Sequence, residues 1–167
     1  ATPPPGRLQM IEADGPRVLV DFAHTDDALE HVLEAVRPMV PSQGRLRIVF
    51  GCGGDRDRGK RPRMGRIAAQ LADAVYATSD NPRSEDPNAI LDQVLDGVPP
   101  DCGRRVQRIV DRREAIGRAI EEAEACDVVI IAGKGHERTQ IFAAEVVEFD
   151  DQAVAIAALQ RRRESSL

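Results

Sequence analysis

Apolar positions along the chain fall into two alternating kinds of segment. Short runs such as Leu46-Arg47-Ile48-Val49-Phe50, Ala74-Val75-Tyr76-Ala77-Thr78 and Asp127 to Ala132 (DVVIIA) are nearly continuous and partly β-branched, the pattern of strands buried on both faces. Between them, apolar residues recur at helical spacing. Ala28, Leu29, Val32, Leu33 and Val36 mark a helix over Asp27–Pro38, capped by Thr25 or Asp26 and ended by Pro38 and Pro41. Met64, Ile67, Ala68 and Leu71 mark a second from Arg63 to Leu71. Pro87 is suited to open a third through Leu95. Asp111-Arg112-Arg113-Glu114 has the form of a capping box for a fourth over Ala115–Ala125, and Asp150 or Asp151 caps a last helix to about Arg163. Alternation over Arg7–Glu12, the Asp14-Gly15 turn and Arg17–Phe22 predict a first hairpin. A further strand is expected over Arg105–Val110 and a second hairpin over Thr139–Phe149. Strands alternating with helices predict one α/β domain: a doubly wound, Rossmann-like, mostly parallel sheet with an antiparallel edge pair and helices on both faces.

Composition narrows the class. The 167 residues suffice for one domain with a proper core, and 42% hydrophobic with 31% charged residues is ordinary for a soluble globular protein. A net charge of −5, no Trp, one Tyr and four Phe argue against a nucleic-acid surface. No apolar run reaches the length of a membrane span, and the proline-rich start ATPPPG has no signal-peptide character. Cys52, Cys102 and Cys126 have neither even number nor metal-site spacing, so free thiols in a reducing, cytoplasmic setting and no metal site are expected.

Charged and glycine residues gather after the strands. Gly51 to Pro62 (GCGGDRDRGKRP) joins a strand to a helix, where backbone N–H groups favour anions. Gly54 to Lys60 satisfies G-x-x-x-x-G-K, but Arg61 stands where a P-loop needs Ser or Thr for Mg²⁺, and Asp55 and Asp57 repel phosphate. A substrate loop is the better reading. Asp21-Phe22-Ala23-His24-Thr25, Ser79-Asp80-Asn81-Pro82-Arg83 and Gly133-Lys134-Gly135-His136-Glu137 follow three other strands. In such folds ligands lie at the carboxyl ends of strands, so these four loops are expected to share one rim. Arg56, Arg58, Lys60, Arg83 and Lys134 there face Asp21, Asp55, Asp57, Asp80 and Glu137, a mixture suited to a zwitterion such as an amino acid. His24 and His136 fit general bases, metal ligands or backbone partners alike, whereas His31 on the first helix is expected at the surface.

With Pro5-Gly6-Arg7, Asp21 to Glu30 (DFAHTDDALE), GCGGDRDRGKRP, SDNPRSEDP from Ser79 and AGKGHE from Ala132, the chain resembles the C-terminal domain of Mur ligases, most closely the MurE type, over essentially its whole length. Phe22 and Asp26 depart from the Tyr and Pro usual in that motif. The resemblance implies that residues 1–6 are an interdomain linker and 7–167 the amino-acid-binding domain. It implies an ATP- and Mg²⁺-dependent ligase that joins meso-diaminopimelate to UDP-MurNAc-L-Ala-D-Glu in peptidoglycan precursor synthesis. Arg83 and Asn81, with Asp80 beside them, would hold the distal carboxylate end, Arg56 a carboxylate, and Gly133 and Glu137 the distal ammonium. Asp21 and His24 would border the nucleotide and Arg7 would reach its phosphates.

The family's P-loop, carbamylated lysine and Mg²⁺-binding acid belong to a central domain, and nothing here matches them or the UDP-sugar domain. No catalytic residue is therefore expected in this stretch, which alone should not turn over. As part of the longer enzyme it is expected to act as a cytoplasmic monomer, with the other domains as partners and neither nucleic acid nor membrane. Two alternatives differ in class or substrate: a lysine- or ornithine-adding ligase, which Arg83 disfavours, and a stand-alone amino-acid-binding module without catalysis.

Overall fold

The computed structural model describes residues 8–165. Its main sheet has six strands: β1 (Gln9–Ile11), β2 (Arg17–Asp21), β3 (Leu46–Cys52), β4 (Ala74–Ser79), β5 (Val106–Arg108) and β6 (Val128–Ala132), in the spatial order β1-β2-β6-β3-β4-β5. Only β1 runs antiparallel, as the edge partner of β2. The other neighbours pair in parallel. The Thr139–Phe149 hairpin forms, as β7 (Thr139–Ile141) and β8 (Val146–Glu148), but makes a two-stranded sheet of its own.

The apolar runs are buried on both faces because successive side chains point oppositely. Leu46, Ile48 and Phe50 of β3 join Val128 and Ile130 of β6 under α1 (Asp26–Val36), α2 (Lys60–Leu71) and α3 (Pro87–Asp96). Val49, Val129 and Ile131 face the other way, under α4 (Arg112–Glu122) and α5 (Asp151–Ser165). Short polar side chains start the helices: Thr25 accepts from the Ala28 N–H, Asp86 from Asn88 and Asp111 from Arg113. Asp150 does the same for Gln152 and Ala153, which leaves Asp151 for another task.

Several boundaries differ from expectation, α1 among them, which ends at Val36 before a 3₁₀ turn over Arg37–Met39. Helix α2 begins at Lys60, ahead of Pro62, because a proline in the first helical turn forfeits no hydrogen bond. Helix α4 begins at Arg112 and stops at Glu122, and Glu114 turns to Arg118 instead of closing a capping box. A 3₁₀ segment over Pro100–Arg105 takes the start of the strand expected from Arg105, so β5 has three residues. Strand β3 runs on to Cys52, which makes Gly51 part of the sheet.

Candidate functional site

All four polar loops leave carboxyl ends of parallel strands β2, β3, β4 and β6 and meet on one rim. They enclose a cavity of about 340 Å³. Arg56, Asp80, Asn81, Arg83, Gly133 and Glu137, the six residues expected to hold an amino acid, all line it. His24 lines it too, with Phe22 and Lys60. Asp21 does not. Its carboxylate accepts the Leu8 N–H at 2.9 Å and the Ala23 N–H at 2.7 Å, so both oxygens shape the turn after β2. It borders instead a neighbouring apolar cavity of about 350 Å³ beside α1. Arg7 lies outside the described residues.

The loops after β3 and β4 are fused. The Gly54 N–H donates to the Asn81 carbonyl at 2.7 Å, and Arg83 Nη1 donates to the Gly54 carbonyl at 2.9 Å. A Cβ on Gly54 would stand 1.7 Å from the Pro82 carbonyl oxygen, so only glycine allows this approach. Ser84 donates to Asp55 through its backbone and its hydroxyl, and the Asp55 N–H donates to Glu85. Two non-glycine residues, Asp55 at φ 56° and Arg83 at φ 53°, are held in the left-handed region by this weave.

Arg61, the position that spoils the P-loop pattern, is the tie beneath it. Its side chain is fully buried and donates to Glu85, Gln93 and the Gly53 carbonyl. Hydrogen bonds from Arg61 and from the Asp55 N–H hold the Glu85 carboxyl down at about 2, with the Arg61 and Arg58 charges adding to the effect. The motif's Lys60 likewise donates to the His24 carbonyl at 2.7 Å, joining the β2 and β3 loops. Both cations of G-K-R are thus engaged by protein acceptors.

A second tie lies under β4 and β6. Arg112, fully buried, makes a two-pronged pair with Asp151 at 2.8 and 2.7 Å and donates to the carbonyls of Ser79 and Ala132. Those carbonyls end the two strands whose loops carry Asp80 to Arg83 and Gly133 to Glu137. Asp151 and the nearby acidic groups raise the Arg112 pKa despite the opposing effect of burial. Gly133, at φ +114°, lies so close that a Cβ there would be 2.8 Å from Asp80 Oδ2.

The histidines occupy different places. His24 is exposed on the rim with Nδ1 on the Phe22 carbonyl, Phe22 contacts the rings of His24 and His136, and His31 is at the surface. Cys52, at the end of β3, is 2% exposed, and burial pushes its thiol up to about 12, leaving no nucleophile at neutral pH. Cys52, Cys102 and Cys126 are unpaired. Among the described residues no helix is long and apolar enough to cross a membrane.

Sequence reasoning placed the rim but missed Arg61, Glu85, Arg112 and Asp151 as its supports. The available signal was charge at positions where the helical period demands burial: Arg61 lies one turn before Met64–Gly65, and Arg112 before Ala115–Ile116, all buried.

The family model for the Mur ligase, glutamate ligase domain matches residues 6–135. The chain belongs to this family. The UDP-N-acetylmuramoyl-L-alanyl-D-glutamate–2,6-diaminopimelate ligase of Synechococcus sp. (strain WH7803) is 55% identical over 165 residues, covering 95% of this chain and 32% of that protein. A solved structure of a ligase of the same name superposes with a TM-score of 0.88 at 45% identity, over 98% of this chain and 33% of that one. The MurF ligase of Thermotoga maritima in complex with ADP shares the fold, with a TM-score of 0.61 at 15% identity over 100% of this chain and 33% of that one. This Mur ligase domain thus spans about a third of the length of the curated relatives it matches.

Proposed function

We propose that this chain is the amino-acid-binding domain, residues 7–167, of a ligase that adds meso-diaminopimelate to UDP-MurNAc-L-Ala-D-Glu during peptidoglycan precursor synthesis. The observation that carries the reading is the cavity itself. Donors for a carboxylate, Arg56, Arg83 and Asn81, share about 340 Å³ with acceptors for an ammonium group, Asp80 and Glu137. One end of diaminopimelate is a zwitterion needing both. Arg83 and Asn81 hold its distal carboxylate, Arg56 adds a second cation, and Glu137 with the Gly133 backbone takes the distal ammonium. The other amine is left to reach the acceptor. Names of relatives at 55% and 53% identity support the substrate.

Lysine lacks the distal carboxylate and would leave Arg83 and Asn81 unpaired. A site built for a charged hydrogen-bond partner rejects the analogue lacking it by about 10⁴-fold at best. ATP with Mg²⁺ supplies the activation of the acceptor carboxylate when bound, and the protein groups that hold them are assigned mainly to the rest of the ligase. The residues present fit a rim role toward the nucleotide. His24 offers an exposed ring, Asp21 acts by fixing the turn that presents it, and Arg7 is assigned to the phosphate side. The domain alone is expected to show no turnover, and the whole enzyme to work in the cytoplasm as a monomer.

The test is calorimetric titration of this chain with meso-diaminopimelate and with L-lysine. Binding of the first at least tenfold tighter supports the reading. Equal affinity overturns the carboxylate-based specificity, and ATP-dependent peptide formation by this chain alone overturns the division of labour.

A further inference from the structure

Lys134 is fully buried, yet it is absent from the cavity wall. Gly133 at φ +114° and Gly135 at φ +57° flank it, a backbone course that turns the side chain inward behind the loop. Its Nζ lies 2.9 Å from Asn81 Oδ1, 3.7 Å from Asp80 Oδ1 and 3.5 Å from Glu137 Oε1. One ammonium therefore stands behind three wall groups, drawn from two loops.

The consequence is sharpest at Asn81. Its Oδ1 also accepts the Ile141 N–H at 3.0 Å. An ammonium and a backbone N–H are both donors only, so the amide has one permitted orientation: the reverse would set its NH₂ against two donors. Oδ1 is thereby spent. Among the described residues no acceptor takes Nδ2, and Asn81 lines the cavity, so it meets a ligand solely as a donor. The charge balance acts in the same direction. Lys134 offsets one of the two negative charges of Asp80 and Glu137. Without it Asp80 and Glu137 would place two uncompensated negative charges beside the carboxylate that Arg83 and Asn81 are to hold.

We propose that Lys134 is a positioning residue that sets the polarity of the pocket: it fixes Asn81 as a carboxylate donor, holds Glu137 in place, and so makes the site select a diamino dicarboxylic acid over a diamino monocarboxylic one. This rests on the amino-acid reading of the cavity given above. Lys134→Met keeps length and burial while removing charge and donor. Titrated with meso-diaminopimelate and L-lysine, it should lose about 10- to 100-fold in affinity for the first, as expected when a buried charged partner and an oriented donor are removed. Affinity for L-lysine should change less than about threefold, so the selectivity ratio collapses. Lys134→Gln, a neutral donor that still reaches Oδ1, should recover part of that ratio.

A proportional loss for both amino acids, ratio unchanged, overturns the proposal, because it is the signature of general loosening. Wild-type protein that does not prefer meso-diaminopimelate overturns the pocket reading itself, which separates the two failures. A measurement on the wild type guards against a variant that does not fold. The Asn81 side-chain amide NMR pair should shift with meso-diaminopimelate and stay put with L-lysine; equal shifts with both overturn its assignment as the carboxylate donor.

Discussion

The two ends of the main sheet are both polar, and they are built on opposite principles. At the amino ends, Asp127 accepts from Arg47 and from the N–H groups of Arg45 and Glu124, while Tyr76 accepts from Arg47 and donates to Glu122. Every strong group there is matched by another. At the carboxyl ends a comparable pair, Arg112 with Asp151, is matched just as fully, but above it stand Asp80, Asn81, Arg83 and Glu137 with bonding capacity turned to a cavity. Buried polar networks close on themselves when they serve stability. Capacity left open around a cavity, above the closed Arg112–Asp151 pair, is what separates this site from a structural cluster.

The largest expected effect comes from breaking the support under the open end. Arg112→Met leaves Asp151 buried without its partner and should cost about 3–5 kcal/mol in denaturant unfolding. It should also weaken meso-diaminopimelate binding, because the Ser79 and Ala132 carbonyls lose their common anchor. Arg47→Met, at the closed end, should destabilise without changing affinity in the protein that remains folded. If both variants weaken binding alike, the distinction between the two ends fails.

Arg83 sharpens the comparison next. Arg83→Ala and Arg83→Gly both remove the guanidinium and should each lower meso-diaminopimelate affinity about 100-fold, in the range of a lost charged hydrogen bond. They should differ in stability. At φ 53° alanine carries a left-handed penalty that glycine escapes, so the glycine variant should unfold about 1 kcal/mol later. Equal stabilities would mean that the turn relaxes.

Acid provides a third handle. The Glu85 carboxyl is held at about 2 against an ordinary 4.5, so the folded state binds its proton more weakly than the unfolded one. Its stabilisation is therefore complete above pH 4.5 and is lost as the pH falls from there toward 2. Glu85→Gln should be less stable at neutral pH by about 1–3 kcal/mol, with the gap to the wild type narrowing through that window. A gap independent of pH would assign the loss to packing. Smallest of all, Tyr76→Phe at the closed end should cost about 0.5–1.5 kcal/mol and leave ligand titrations unchanged.

Which of these features the sequence discloses follows from what each depends on. DVVIIA and the Leu46 run disclose strands because burial on both faces demands unbroken apolar residues. Loops after four such strands then disclose the rim, since parallel topology leaves them nowhere else to meet. The start of α2 at Lys60 is hidden because its apolar stripe begins only at Met64, and the first turn, which tolerates Pro62, carries no apolar signal. The direction of a charged side chain is the hidden part. Arg56 and Arg61 stand five positions apart with similar neighbours, yet one is exposed on the cavity wall and the other is wholly enclosed. Asp21 likewise keeps its place in the motif while its oxygens are occupied by the chain itself.

The small β7–β8 sheet has a consequence for how such a domain ages. At Ile141 it grips the site through main-chain atoms: the Ile141 N–H serves Asn81, and the Ile141 carbonyl receives the Arg83 N–H at 3.0 Å. Amide groups are common to almost every amino acid, so side chains along this hairpin other than Gln140, whose Nε2 donates to the Asp80 carbonyl at 2.8 Å, can drift over generations while the main-chain grip persists. Proline at position 141 is the exception, because it deletes the N–H on which the Asn81 amide depends.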